Sequence, residues 1–294
     1  MIDLVGSGQK IAAAISADGT SILAKPSVVG FPSQRWTAST GWELLPNSYA
    51  TDISSDGNTV VTSFGAGDHV NLLTRYEVNG IASWEQTSTF GGLIPNSIME
   101  ARAITPDASV VVGRAGLGEA FRWTSLGGIV GLGYLPGFDN SDAMGVSADG
   151  SVVIGYGGNQ SGPKGFRWTE SDGMQELAGL IFPYAASHDG SVIVGDGANG
   201  ATIWDATNGS RNLMTLLIQG YGLDLSEWTS LSSAYAISQD GKVIAGIGTH
   251  NGQAEYWLAK LDASPVPLPS GIWLFGSALI AGLSLQKKMS VRIG

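Results

Sequence analysis

The chain contains no cysteine, which excludes disulfides, a thiolate nucleophile and any cysteine-ligated zinc site. Charge is also scarce: Asp, Glu, Lys and Arg make up 14% of the 294 residues, about half the usual share. Bases are fewer than acids, 15 against 25. Three of those bases, Lys287, Lys288 and Arg292, follow the last acid, Asp262, so residues 1–262 hold 12 bases, all 25 acids and a net charge of −13. A body that acidic excludes nucleic acid as a partner, because binding there needs a basic face to displace phosphate counterions. The three histidines, His69, His188 and His250, form no His-x-x-x-His pair, and no Gly-x-Ser-x-Gly elbow marks a nucleophile. Glycine clusters such as Gly65-Ala66-Gly67 and Gly195-Asp196-Gly197 lack the Lys-Ser/Thr of a phosphate cradle and read as turns.

What the chain does have is glycine and apolar side chains. The 43% hydrophobic content is too high for a disordered segment. The 43 glycines argue against a helix bundle, since an interior Gly costs a helix about 1 kcal/mol relative to Ala. Many short strands joined by glycine turns fit both facts.

One motif recurs along the chain: Ile15-Ser16-Ala17-Asp18-Gly19, Ile53-Ser54-Ser55-Asp56-Gly57, Ile104-Thr105-Pro106-Asp107-Ala108, Val146-Ser147-Ala148-Asp149-Gly150, Ala186-Ser187-His188-Asp189-Gly190 and Ile237-Ser238-Gln239-Asp240-Gly241. The aspartates are 38, 51, 42, 40 and 51 residues apart. Asp-Gly between apolar runs signals a hairpin, because both residues tolerate positive φ. A β-branched run follows in most copies and ends in glycine at Gly113, Gly155, Gly195 and Gly246. An aromatic strand comes next, bearing Trp36, Trp123, Trp168, Trp204 and Trp257, with Arg75-Tyr76 or Trp84 as substitutes in the second unit. A glycine turn then leads to a fourth strand at Trp42–Leu45, Ile129–Leu132, Met174–Leu177 and Asn212–Met214. Four antiparallel strands per 40 to 50 residues is the period of a propeller blade.

The expected fold is therefore all-β, a β-propeller of about six four-stranded blades over residues 1–262, with seven blades, a solenoid and stacked sandwiches as alternatives. The last unit shows no fourth strand after Tyr256-Trp257-Leu258, whereas the chain opens on Met1-Ile2-Asp3-Leu4-Val5-Gly6. This N-terminal segment is expected to complete the last blade and close the ring, removing an open edge.

Beyond the propeller the composition changes. Residues 263–270 form a proline-rich linker containing Val266-Pro267-Leu268-Pro269. Gly271 to Leu285 carries no charge, and Lys287 and Lys288 follow at once. This reads as a short transmembrane helix over 271–286, with Trp273 at one interface and a basic tail over 287–294.

The run from Val266 to Lys288 resembles the PEP-CTERM sorting signal of Gram-negative bacteria in its Val-Pro-Leu-Pro variant, with Leu268 where the main form has glutamate. That resemblance implies an exported protein, an exosortase-type processing enzyme as partner, initial anchorage in the inner membrane, and Val266, Pro267, Leu268, Pro269, Lys287 and Lys288 as the signal. It also implies a signal peptide. Met1–Ala14 carries no apolar run of seven, so the expectation is a start upstream or a fragment, with a chain tail-anchored from the cytoplasm as the alternative that would overturn the surface reading. Gly118–Thr124, Leu132–Gly137 and Val146–Gly155 resemble the HAF extracellular repeat, with Glu119 in place of that family's histidine. Those repeats occur in exported bacterial proteins.

Asp18, Asp56, Asp107, Asp149, Asp189 and Asp240 could in principle ring an ion, but the same residue is what a hairpin turn selects, and the turn role is expected. No cofactor is expected. Gly137–Asp142 could offer oxygens to calcium but lacks an EF-hand's spacing. The register tryptophans Trp36, Trp123, Trp168, Trp204 and Trp257 are expected in the core between blades. Trp42, Trp84 and Trp228 lie outside that register, and an exposed Trp or Tyr on a propeller face would suit stacking on a sugar. The expected function is a structural or ligand-binding module of the cell envelope or extracellular matrix, with the ligand left open, extracellular polysaccharide a candidate partner, and no enzymatic activity. The alternative is a polysaccharide- or ester-cleaving enzyme using acids around the channel.

Overall fold

The computed structural model describes residues 10–26, 32–46, 49–63, 69–79, 81–91, 99–116 and 118–261. These form six antiparallel sheets in chain order, the blades of an all-β propeller. Blade one comprises β1 (Lys10–Ile15), β2 (Ser21–Pro26), β3 (Gln34–Thr37) and β4 (Gly41–Leu44), and blade two β5 (Tyr49–Ile53), β6 (Thr59–Ser63), β7 (His69–Val78) and β8 (Ile81–Gly91). Blade three comprises β9 (Met99–Ile104), β10 (Val110–Ala115), β11 (Glu119–Thr124) and β12 (Gly128–Gly131), and blade four β13 (Asn140–Val146), β14 (Val152–Asn159), β15 (Gly162–Thr169) and β16 (Gly173–Glu176). Blade five comprises β17 (Phe182–Ala186), β18 (Val192–Gly197), β19 (Gly200–Asp205) and β20 (Gly209–Asn212), and blade six β21 (Trp228–Ile237), β22 (Val243–His250) and β23 (Gln253–Lys260). First strands pack on one another around the ring, β1 on β5, β5 on β9, β9 on β13, β13 on β17 and β17 on β21, so they line its axis.

The repeated motif builds each first hairpin in the same way. The Ser16 hydroxyl donates to Asp18 Oδ1 and accepts from the Ser21 N–H, while Asp18 Oδ1 accepts from the Thr20 N–H. The set recurs at Ser54, Thr105, Ser147, Ser187 and Ser238 with their aspartates. Only the fifth motif residue takes positive φ: Gly19, Gly57, Ala108, Gly150, Gly190 and Gly241 do, and the aspartates do not. The two-residue Asp-Gly turn expected from sequence is therefore corrected to a longer turn, capped by the Ser/Thr hydroxyl and the carboxylate.

Adjacent turns are laced by their backbones. Asp18 N–H donates to Ser55 O (3.4 Å) and Ser55 N–H to Pro106 O (2.8 Å). Asp149 N–H donates to His188 O (3.0 Å) and His188 N–H to Gln239 O (2.8 Å). Every first strand also carries a bulge opposite its second strand. There the chain approaches so closely that a Cβ at Gly155 would lie 2.0 Å from Asp142 O, which explains why the valine runs end in glycine.

Trp123, Trp168, Trp204 and Trp257 each pack against apolar side chains of the preceding blade; Trp123 stacks on Phe90 of blade two at 4.3 Å. The register differs from expectation in two units. In blade six Trp257 pairs with Gly246, the place held by Phe121 and Phe166 opposite Gly113 and Gly155. In blade two Leu73, paired with Val60, holds the tryptophan place, and Trp84 lies on the fourth strand. The fourth strand of unit five ends at Asn212, whose side chain caps a helical turn at Leu213–Thr215. Blade six has three described strands. Residues 1–9, expected to supply its fourth, and 262–294, with the linker, helix and basic tail, lie outside the described residues. Among the described residues no helix is long and apolar enough to cross a membrane.

Candidate functional site at the seam of blades three and four

Each turn aspartate sits at one end of the propeller, and its role there is local. Hydrogen bonds from Ser16 and Thr20 hold the Asp18 carboxyl below its ordinary value. Ser191 and Ser187 bring that of Asp189 down to about 2. Asp56, Asp107, Asp149 and Asp240 are lowered in the same way, against burial where they are partly covered. Spread over six turns, they do not gather around an ion.

The opposite end holds the starts of the first strands and the turns between second and third strands. Seven residues after each turn aspartate the repeat places a residue of variable chemistry there: Lys25, Ser63, Arg114, Tyr156, Asp196 and Ile247. Two of these staple neighbouring blades. Ser63 Oγ accepts from the Ala101 N–H at 2.9 Å. Asp196 accepts from Ser233 Oγ (3.0 Å), from Tyr184 OH (3.2 Å) and from the Ala234 N–H. Burial raises the Asp196 carboxyl despite these bonds. Burial and the Asp196 charge push the Tyr184 phenol up to about 12. Tyr235 lies 5.3 Å from Tyr184 and is half exposed.

Between blades three and four the same level opens into a cavity of about 380 Å³. Arg114, Gly116, Gly118, Asn140, Ser141, Asp142 and Tyr156 line it among the described residues. Beside it lies a four-membered ion network. Arg102, the bulged residue of β9, reaches Asp142 Oδ2 at 3.0 Å, Asp142 Oδ1 at 3.4 Å and Glu100 at 2.8 Å. Arg114 lies 3.5 Å from Glu100 and 4.0 Å from Asp142. Burial opposes the Arg102 charge, but the Asp142 and Glu100 carboxylates hold its guanidinium above the ordinary value. The Asp142 side chain is only 5% exposed and Arg114 is 41% exposed, so the acid is fixed and the base is reachable. Tyr156 meets Phe182 edge-on at 5.2 Å, which fixes its ring.

Of the acid-rich stretch Gly137–Asp142, Asp142 turns to Arg102, and Asp139 accepts from Asn140 Nδ2 at 3.3 Å. Among the described residues no three His, Asp or Glu side chains are placed to share a metal ion. His188 serves the backbone lacing, and His250 stands between Glu227 and Glu255. The tryptophans outside the core register are not exposed rings, which corrects that expectation: Trp42 and Trp84 are half-buried, and Trp228 is buried and stacked on His250 at 4.7 Å. The accessible aromatics at the mouth are tyrosines. The sorting-signal residues Val266, Pro267, Leu268, Pro269, Lys287 and Lys288 lie outside the described residues. Arg102, Arg114 and Tyr156 escaped the sequence reading, because Arg102 is a bulge residue that leaves no motif and Arg114 and Tyr156 stand at a repeat position whose residue type varies.

Fold and site together define a six-bladed β-propeller with a polar cavity at one seam of its mouth. No protein-family model and no curated protein matches the chain. Among solved structures it is similar to the TolB protein of Acinetobacter baumannii, at 16% identity and a TM-score of 0.46, covering 69% of this chain and 53% of that one. The chain thus spans about half the length of that structure.

Proposed function

We propose that the chain is an exported propeller, sorted to the cell envelope or extracellular matrix, where it serves as a structural and polysaccharide-binding module. The observation that carries this reading is the run from Val266 to Lys288: a Val-Pro-Leu-Pro motif, an uncharged stretch and two lysines. In this reading an exosortase-type enzyme recognises Val266, Pro267, Leu268 and Pro269, residues 271–286 anchor the precursor in the inner membrane, and Lys287 and Lys288 hold the helix end on the cytoplasmic side. The polar cavity at the mouth supports a binding role. The test is expression with the upstream region in the native host, followed by mass spectrometry of the mature C-terminus. Loss of residues 271–294 is expected, and their retention in all mature protein would sink the sorting reading.

Ring closure by residues 1–6 belongs to the same proposal. In every other blade the chain passes from a fourth strand to the first strand of the next, and β1 begins immediately after residue 9. A strand over 1–6 would then lie on β23, which pairs only with β22 among the described strands.

One observation favours a hydrolytic second reading: burial raises the Asp196 carboxyl, which stands at the same end of the propeller as Asp142. It requires that Asp196→Asn abolish cleavage of a polysaccharide or ester. Absence of turnover across such substrates by the intact chain removes this reading.

A further inference from the structure

We infer that the seam cavity of blades three and four binds one uncharged sugar ring, with Asp142 and Arg114 on adjacent hydroxyls and Tyr156 against the ring. This inference rests on the polysaccharide-binding reading and names both the subsite and the class of sugar.

The lining rules out most other ligands. The cavity's described lining is Arg114, Asn140, Ser141, Asp142, Tyr156 and glycine, and among these residues the groups offered are chiefly hydrogen-bonding ones, which suit a polar ligand better than an acyl chain. Its volume, about 380 Å³, falls at the lower end of the roughly 300–1,000 Å³ of small-molecule pockets.

Charge then divides the polar ligands. Arg102 and Arg114 are balanced by Glu100 and Asp142 within 2.8–4.0 Å. An incoming carboxylate or sulfate could approach Arg114 only by facing two carboxylates already in place, and a cation would meet two guanidiniums. The propeller's overall acidity repels polyanions further. A neutral, hydroxyl-rich ligand pays neither penalty.

The fixed groups also match a vicinal diol. Arg102 grips both oxygens of Asp142, which holds the carboxylate plane and leaves each oxygen able to accept once more. Arg114 offers donors beside it, held only loosely at 3.5 and 4.0 Å. Adjacent sugar hydroxyls each donate and accept, so a carboxylate next to a guanidinium satisfies a pair of them. Tyr156 then supplies a flat apolar face for the ring's C–H groups, already oriented by Phe182.

The experiment uses the full chain against immobilised neutral glucans, mannans and galactans and against the uronate polymers alginate and hyaluronate, at low and high salt. Retention by at least one neutral polymer, undiminished by salt, is expected. Arg114→Gln and Tyr156→Ala should each weaken it by about tenfold or more, with an unchanged thermal melt for Arg114→Gln. Should Tyr156→Ala fail to fold, the accessible Arg114 decides alone. Binding to uronates and to no neutral polymer overturns the charge argument yet leaves the polysaccharide reading standing. Neutral binding indifferent to Arg114→Gln overturns the subsite. Binding to no glycan removes both the inference and the reading beneath it.

Discussion

Gly150 of blade four lies directly over Val110 of blade three, so closely that a Cβ on the glycine would stand 2.7 Å from Val110 Cγ2. The same relation joins Gly190 to Val152 and Gly57 to Ser21. Gly57, Gly150 and Gly190 thus answer two demands, a positive φ and room for the neighbouring blade.

Those two demands separate by mutation. Gly19 has φ +71° with nothing within 4 Å of a built Cβ, whereas Gly150 has φ +72° and Val110 beneath it. Gly19→Ala should cost about 1–2 kcal/mol, the left-handed penalty alone. Gly150→Ala should cost about 1–3 kcal/mol more, through overpacking. Urea denaturation of the two variants checks the difference, and equal losses would show that the inter-blade contact yields freely.

Asp52 predicts an alkaline weakening. It accepts from the Ile53 and Ile104 N–H groups at 2.8 and 2.9 Å, and burial pushes its carboxyl up to about 6 from 3.8. A folded value above the unfolded one stabilises fully below about pH 4, and that contribution is lost as pH rises through about 6. Asp52→Asn should therefore flatten the fall in stability between pH 4 and 8, and lower stability at pH 4 by about 1–3 kcal/mol, because an asparagine amide nitrogen cannot accept from one of the two N–H groups. Thermal melts at both pH values would expose the opposite sign.

The turn aspartates act in the other direction. Their folded values lie below 3.8, Asp189 at about 2, so their contribution is present above pH 4 and lost as pH falls toward 2. Replacing Asp149 and Asp189 with asparagine should lower stability at neutral pH and flatten the loss between pH 4 and 2. An acid titration followed by near-UV circular dichroism reads this; an unaltered slope would assign the acid response to other carboxylates.

Ser147 is the buried pivot of its turn, donating to Asp149 at 2.6 Å and accepting from the Val152 N–H at 2.9 Å. Ser147→Ala strands a buried N–H, so a loss of about 1–3 kcal/mol is expected. Ser147→Thr should recover most of it, as Thr105 fills the same place in blade three. Denaturation midpoints of the two variants measure this, and an undiminished midpoint for Ser147→Ala would deny the hydroxyl its role.

The blades were legible in the sequence because each unit carries its own turn, and a hairpin motif is local chemistry. Trp257 was placed two residues off because pairing register depends on the partner strand, and blade six substitutes Ala259 opposite Ile244. The seam cavity was illegible for a further reason. Arg102 and Asp142 are 40 residues apart and meet only because a bulge in β9 and the start of β13 share one seam. Their residue types follow no repeat, since Glu100 and Asp142 are acids where the equivalent Phe182 and Ser233 are not.

The backbone lacing of the turns runs from blade one through blade three and again from blade four through blade six. At Pro106 it halts, because proline has no N–H to pass on. The lacing thus runs in two arcs. The seam between blades three and four is held instead by Ser141, whose N–H donates to Gly118 O at 2.6 Å and whose hydroxyl accepts from the Ala120 N–H at 2.9 Å, together with Arg122 to Gly150 O at 3.2 Å and Arg102 to Asp142 at 3.0 Å. Only the charged pairs among these are screened by salt, and Arg102 meets a carboxylate that is itself buried, so the seam should keep its shape where the cavity lies. Hydrogen exchange should show the Ser141 and Ala120 amides slow at both low and high ionic strength, and fast exchange there would count against the serine clasp.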